Sequence, residues 1–259
     1  MNTLRTITLR IIIAAATMLA AQSCIYVPHN YYVYQPHNVP QLRDSNEVAL
    51  DVSFTTNYEL VYLWPFLFDD NQTLGFNINA AYSPIKHLGV MGSYNLYSYN
   101  GIRANNGELA VGFYQPYSQY MIFDVYGGCR VTNQMHNFSD SGAVKLFMTN
   151  TFVQPSIGFS YAPVDLAFAM RLGYAQYHSI NNHVGIAKES KAVQWLCDNP
   201  RHFMLEPSLT FRAGYKRIKG QLQIAYSLPL STTPPPEMPT LNSITLSIGI
   251  HFAIGRTYP

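Results

Sequence analysis

From Ser243 to Ile254 the chain reads S-I-T-L-S-I-G-I-H-F-A-I. Ile244, Leu246, Ile248, Ile250 and Phe252 fall on one parity, and Thr245, Ser247, Gly249 and His251 on the other. A period of two marks a β-strand with two unlike faces. The pattern recurs upstream. Leu74, Phe76, Ile78 and Tyr82 alternate with Gly75, Asn77 and Asn79. Leu166, Phe168, Met170, Leu172 and Tyr174 alternate with Asp165, Ala167, Ala169, Arg171 and Gly173. Phe203, Leu205, Leu209 and Phe211 alternate with Met204, Glu206, Ser208, Thr210 and Arg212, and Leu222, Ile224 and Tyr226 with Gln221, Gln223 and Ala225.

Ten strands are expected, at 47–55, 73–82, 87–98, 108–115, 119–131, 143–161, 164–177, 202–213, 218–227 and 243–253. The connections between them alternate in length. Those at 83–86, 116–118, 162–163 and 214–217 are short; those at 56–72, 99–107, 132–142, 178–201 and 228–242 are long. A soluble sandwich has no reason to keep such a rule. An outer-membrane barrel has one, because its periplasmic turns are short and its outer loops long. The fold class predicted is therefore all-β, a closed antiparallel up-and-down transmembrane β-barrel of about ten strands, with eight as the alternative. Ile244, Leu246, Ile248, Ile250 and Phe252 then face lipid, and their neighbours face the lumen. Tyr82, Tyr114, Tyr117, Tyr120, Tyr161 and Tyr215 gather near the short turns, where amphipathic rings favour the membrane interface. A soluble periplasmic lipocalin-like binding protein is the competing reading.

Composition narrows the choice. Charged residues are only 12% of the 259, tyrosines number 20, and mean hydropathy is −0.02. That excludes a bundle of membrane helices, which needs runs of about 20 apolar residues. A net charge of +2 gives no basic field for nucleic acid.

The N-terminus carries Arg5 and Arg10, an apolar run from Ile11 to Ala21, and then Gln22-Ser23-Cys24. This reads as a secretory signal over 1–23, with Cys24 as the acylated residue of a bacterial lipoprotein and cleavage after Ser23 without acylation as the alternative. Residues 24–45, rich in Pro, Tyr, Asn and His, read as an extended periplasmic arm, with the barrel at 46–259. His29 and His37, in two P-H-N triplets, read as exposed linker histidines, without the acidic or cysteine partner a metal site would need.

Cys24, Tyr26-Val27-Pro28, His37-Asn38-Val39-Pro40 and Glu47-Val48 resemble the start of small outer-membrane barrel lipoproteins of Bacteroidota. The resemblance covers about thirty residues. It implies location and fold, namely the outer membrane of a Gram-negative cell, and carries no catalytic residues; the periplasmic N-terminus is expected instead from export and the phase of the short and long connections.

The expected inward faces collect Asp51, Glu108, Asp124, Arg130, Asp165, Arg171, Glu206 and Arg212. Charges in a narrow lumen are costly unless paired, so acids and arginines should meet there. The result is either a polar network filling the barrel or a narrow, porin-like passage. The apolar stretch around Tyr58, Tyr62, Trp64, Phe66 and Phe68 is a candidate loop contact, and Leu228–Pro239 a stiff proline-rich segment. An enzyme acting on lipid or peptide would draw on His178, Ser179 and His183, with Glu189 and Asp198 nearby. The Gly127-Gly128 pair eases bending or close packing, Cys129 reads as a small buried thiol, and export would permit a bond between Cys129 and Cys197. The sequence thus predicts a non-catalytic envelope barrel, structural, passage-forming or surface-binding. It needs no cofactor or metal and binds no nucleic acid. Its partners are outer-membrane lipid and, during biogenesis, the barrel-assembly machinery.

Overall fold

The computed structural model describes residues 31–58, 73–99, 101–137, 142–161, 163–182, 187–215, 217–230 and 243–255. The strands are β1 (Val48–Tyr58), β2 (Thr73–Ile85), β3 (Leu88–Tyr99), β4 (Ile102–Pro116), β5 (Met121–Asn137), β6 (Ala143–Tyr161), β7 (Val164–Asn182), β8 (Arg201–Tyr215), β9 (Ile218–Pro229) and β10 (Ser243–Ile254). Each pairs antiparallel with its neighbours in sequence, and β10 returns to β1, with Val48 opposite Ile254 and Tyr58 opposite Ile244. The sheet is a closed ten-stranded barrel with no free edge, the condition for crossing lipid with strands.

Its polarity is inverted relative to a soluble barrel. Leu109 is 71% exposed and Ile248 59%, and Phe76, Leu172, Phe211 and Ile224 also point outward. Inside, Asn77, Asn95 and Asn106 sit side by side in register across β2, β3 and β4, all buried. A lipocalin-like protein puts its apolar face inward, so this wall does not belong to one. No helix among the described residues is long and apolar enough to cross a membrane; here the strands carry the apolar belt.

One end of the barrel holds the connections 86–87, 117–120, 162–163 and 216–217; the other holds 59–72, 138–142, 183–200 and 230–242. The expected long connection at 99–107 is instead a tight turn, because β4 begins at Ile102. Gly101 takes φ 82° there, a left-handed conformation that glycine adopts without strain. The strands also run longer than expected. β6 and β7 have 19 residues each. At about 3.3 Å per residue and a tilt near 40°, they rise roughly 45 Å, well beyond an apolar band of about 25 Å. The tops of these strands stand clear of lipid.

At the short-turn end Tyr82, Tyr117, Tyr161 and Tyr215 are exposed as a girdle requires, and the Tyr120 ring packs against Phe159 and Tyr161. Tyr114 departs from it: fully buried, it points inward and its hydroxyl lies 2.7 Å from Ser83 Oγ. The long connection after β7 contains a helix not foreseen from the sequence, α1 (Ala187–Asp198). Its Val193 and Leu196 are buried against Tyr31, Tyr177 and Met204 at the mouth of the barrel. Ala, Glu, Lys, Gln and Leu in A-K-E-S-K-A-V-Q-W-L-C-D are good helix formers, which was the available signal.

A charge placed on the outer wall reports whether lipid lies there. Ile248→Arg, midway along β10, should cost about 2–4 kcal/mol against Ile248→Ala. Urea unfolding of the protein in lipid vesicles measures it; equal stability of the two variants would contradict a lipid-facing Ile248.

Candidate functional site

The lumen is occupied by the chain itself. Residues 31–42 are all buried, and they lie inside the barrel rather than trailing in the periplasm as an arm would. Tyr31 is at the long-loop mouth, with its ring 4.8 Å from His136 near the top of β5. Arg43 reaches the opposite end, donating to the carbonyls of Gln119 (2.7 Å) and Ser118 (3.4 Å) in a short turn. The chain then turns at Asp44–Glu47 and climbs again as β1.

This segment has no strand or helix partner, so its buried carbonyls must find donors elsewhere. Wall side chains supply them. Tyr177 Oη donates to Tyr31 O (3.1 Å), Tyr97 Oη to Tyr34 O (2.9 Å) and Gln223 Nε2 to His37 O (3.0 Å). Gln154 Nε2 donates to Asn38 O (2.8 Å) and Arg212 Nη2 to Val39 O (2.9 Å). Pro36 and Pro40 carry no N–H, which leaves two fewer donors to satisfy. Gln41 adopts φ 52°, unusual for a side-chain-bearing residue, and donates to Leu166 O at 3.2 Å. The wall makes room for it: a side chain at Gly158 would run into the Gln41 amide.

Around this stopper lie the eight inward charges, six of them paired with one another. All of them face the lumen and are buried. Arg171 grips Glu108 with two nitrogens, at 2.7 and 2.9 Å, the fork geometry that suits a carboxylate. Its Nη2 also donates to Gln154 Oε1 at 2.6 Å, and its guanidinium stacks 3.9 Å above the Phe152 ring. Arg130 bridges Glu108 (3.3 Å) and Glu206 (3.6 Å). Glu206 accepts the Tyr32 hydroxyl and lies 3.7 Å from His37 Nε2, so the stopper contributes to the ion cluster directly. Asn150 and Arg130 in turn donate to the Tyr32 oxygen, at 2.9 and 3.3 Å. Lower down, Arg212 meets Asp51 at 3.4 Å and Gln221 Oε1 at 2.6 Å, and His251 Nδ1 lies 2.5 Å from the same aspartate.

Not every inward acid meets an arginine. Asp165 pairs with Lys219 at 2.8 Å and accepts the Ser160 hydroxyl at 2.5 Å, and Asp124 accepts the Ser156 hydroxyl. His251 faces the lumen as its parity requires, whereas Lys219, Tyr32, Gln154 and His37 are members not singled out beforehand. Lys219 and His251 share that inward parity with Gln221 and Gly249, whereas Tyr32 and His37 lie outside any alternating segment. His37 is thus a buried lumen residue bonded to Ser208 Oγ at 2.8 Å, not an exposed linker histidine.

Other predicted positions separate from this site. Cys129 is a free thiol exposed on the outer wall, with Leu109 and Thr151 as cross-strand partners, because its parity is opposite to that of Arg130. Cys197 on α1 is free and exposed as well. Gly128 is a point of close approach, where a side chain would strike Leu109 O and Ala110. His178 is exposed, bonded to Thr149 Oγ1 at 2.6 Å and packed on Phe147; neither contact is a carboxylate. Cys24, His29, Tyr62, Trp64, Phe66, Phe68, His183 and the stretch 231–239 lie outside the described residues, as do the side chains of Tyr58 and Glu189.

The carboxylates and guanidinium groups of the lumen are engaged with each other, with Lys219, with wall hydroxyls and amides, or with the stopper. Fold and lumen together define a β-barrel of the outer-membrane type, closed internally by its own N-terminal segment. No known family profile matches the chain, and no curated protein does. Among solved structures it is similar to the N-terminal β-barrel domain of Pseudomonas aeruginosa OprF, at 11% identity over 82% of this chain and 100% of that one, with a TM-score of 0.34. It is also similar to the outer membrane protease OmpT from Escherichia coli, at 8% identity over 80% and 97%, with a TM-score of 0.42. The outer membrane protein OprG from Pseudomonas aeruginosa gives 9% identity over 83% and 99%, with a TM-score of 0.36.

Removing one partner from a buried ion pair strands the other. Glu108→Gln should therefore destabilise the barrel by about 3–5 kcal/mol. Combining it with Arg171→Met should cost less than the two single changes summed. Urea unfolding in vesicles reads both, and strict additivity would show that the pair is not coupled.

Proposed function

We propose that this chain is a non-catalytic outer-membrane protein whose lumen is kept shut by residues 31–42, and that it works through its long-loop face as a structural or surface-binding component of the envelope. The observation that carries this reading is the stopper itself. Five of its carbonyls are held by wall side chains, and its Tyr32 and His37 are tied into the Glu206 cluster. A passive pore has no use for such a filling. The apolar outer wall and the tyrosines at the short-turn end suit outer-membrane lipid as the surrounding partner, with insertion by the barrel-assembly machinery. A signal over 1–23, acylation of Cys24 and an origin among small barrel lipoproteins of Bacteroidota are the further parts of the proposal; they rest on the N-terminal sequence.

Planar-bilayer recording tests the stopper. The intact protein should pass no steady current. Replacing residues 31–42 with a Gly/Ser segment of equal length should produce discrete conductance steps. Steady current through the intact protein, blind to that replacement, would contradict the proposal.

A further inference from the structure

The direction of the stopper fixes where the chain ahead of it must leave the barrel. Tyr31 lies at the long-loop mouth, under α1 and beside His136 and Tyr177, whereas Arg43 lies at the short-turn end. Residue 30 is bonded to residue 31, so the preceding chain joins it at that mouth. A periplasmic N-terminus would require the opposite direction of travel. We infer that the mature N-terminus is displayed on the long-loop face, and that an acyl chain carried by Cys24 enters the leaflet on that side. In the outer-membrane reading, on which this inference rests, that is the cell surface and the outer leaflet.

The filled lumen argues for this exit. From Cys24 to Tyr31 are seven residue steps, a reach of about 25 Å at full extension. The return path through the lumen is filled by residues 31–42, themselves buried on every side. A path over the rim and down the outer wall would have to cross about 30 Å of hydrocarbon. It would also expose unpaired backbone to lipid. The lumen below Tyr31 is already filled, so the chain ahead of it has its exit at the long-loop mouth.

The experiment compares three epitope insertions in the full chain, expressed in Gram-negative cells: after Val27, after Thr233 in a long connection, and after Ser118 in a short turn. A shift between boiled and unboiled samples on SDS-PAGE certifies that each tagged barrel is folded. Antibody should bind the Val27 and Thr233 tags on intact cells, and the Ser118 tag only after the outer membrane is permeabilised. A Val27 tag that behaves like the Ser118 tag would overturn the inference while leaving the membrane reading intact. Recovery of all three chains in the aqueous fraction would overturn the membrane reading, and the sidedness with it. If the Val27 insertion blocks folding, Tyr26→Cys labelled with a membrane-impermeant maleimide replaces it, with Cys129 and Cys197 changed to serine and Cys24 kept. Labelling on intact cells is again the expected result, and labelling only after permeabilisation the contrary one.

Discussion

A backbone carbonyl shut away from water must be given a donor, and in this barrel that requirement shapes the whole interior. The wall satisfies its own backbone through the closed ladder of ten strands. Residues 31–42 have no ladder, yet they are as buried as the wall. Their carbonyls depend on Tyr97, Gln154, Tyr177, Arg212 and Gln223, one side chain at a time. An unmet buried polar group costs about 1–3 kcal/mol. The inner face of the barrel is thus fitted to one particular path of one particular segment.

Size explains why a segment is needed. Eight strands close around a space that their own side chains fill; ten enclose more. Long polar side chains take up part of the extra room, and a single extended chain with Tyr, Gln and Asn side chains takes the rest. Charge and filling then support each other. Arg130, Arg171 and Arg212 are fully or almost fully removed from solvent, which is tolerable only because carboxylates and carbonyls converge on them. Some of the acceptors belong to the wall, as Glu108 and Asp51 do, and others, Val39 O, Gln41 Oε1 and the Tyr32 oxygen, belong to the stopper.

Much of this was legible because lipid enforces a period of two. Where both the outer band and the lumen act on a strand, as in Ser243–Ile254 or Leu166–Tyr174, parity assigns every side chain. The eight inward charges follow from it. Legibility fails where one of the two media is missing. Above the lipid, β4 turns Arg103 and Asn105 outward, so the alternation vanishes and its first turn of strand reads as a loop. Among the described residues, α1 packs on the mouth through Val193, Leu196 and the half-buried Trp195, too few positions to mark a period. The stopper misleads most. Prolines and polar residues mark an exposed linker, and a polar lumen selects the same residues. Tyr31, Tyr32, Tyr34, Val39 and Leu42 were the discordant signal, more apolar surface than a solvated tether would carry.

The claim that everything else depends on is that the N-terminal segment runs inside the barrel. A Cβ built on Gly158 lies 3.0 Å from Gln41 Cγ, so the Gln41 Cβ, one bond further on, falls within about 4.5 Å of it, the span a disulfide bridges. In a chain with Cys24, Cys129 and Cys197 changed to serine, Gln41→Cys and Gly158→Cys should therefore oxidise spontaneously in the folded protein. Non-reducing SDS-PAGE of the boiled sample would show a faster band, abolished by reductant and absent from either single variant. Two free thiols in the folded protein, both open to an impermeant maleimide, would contradict a threaded lumen.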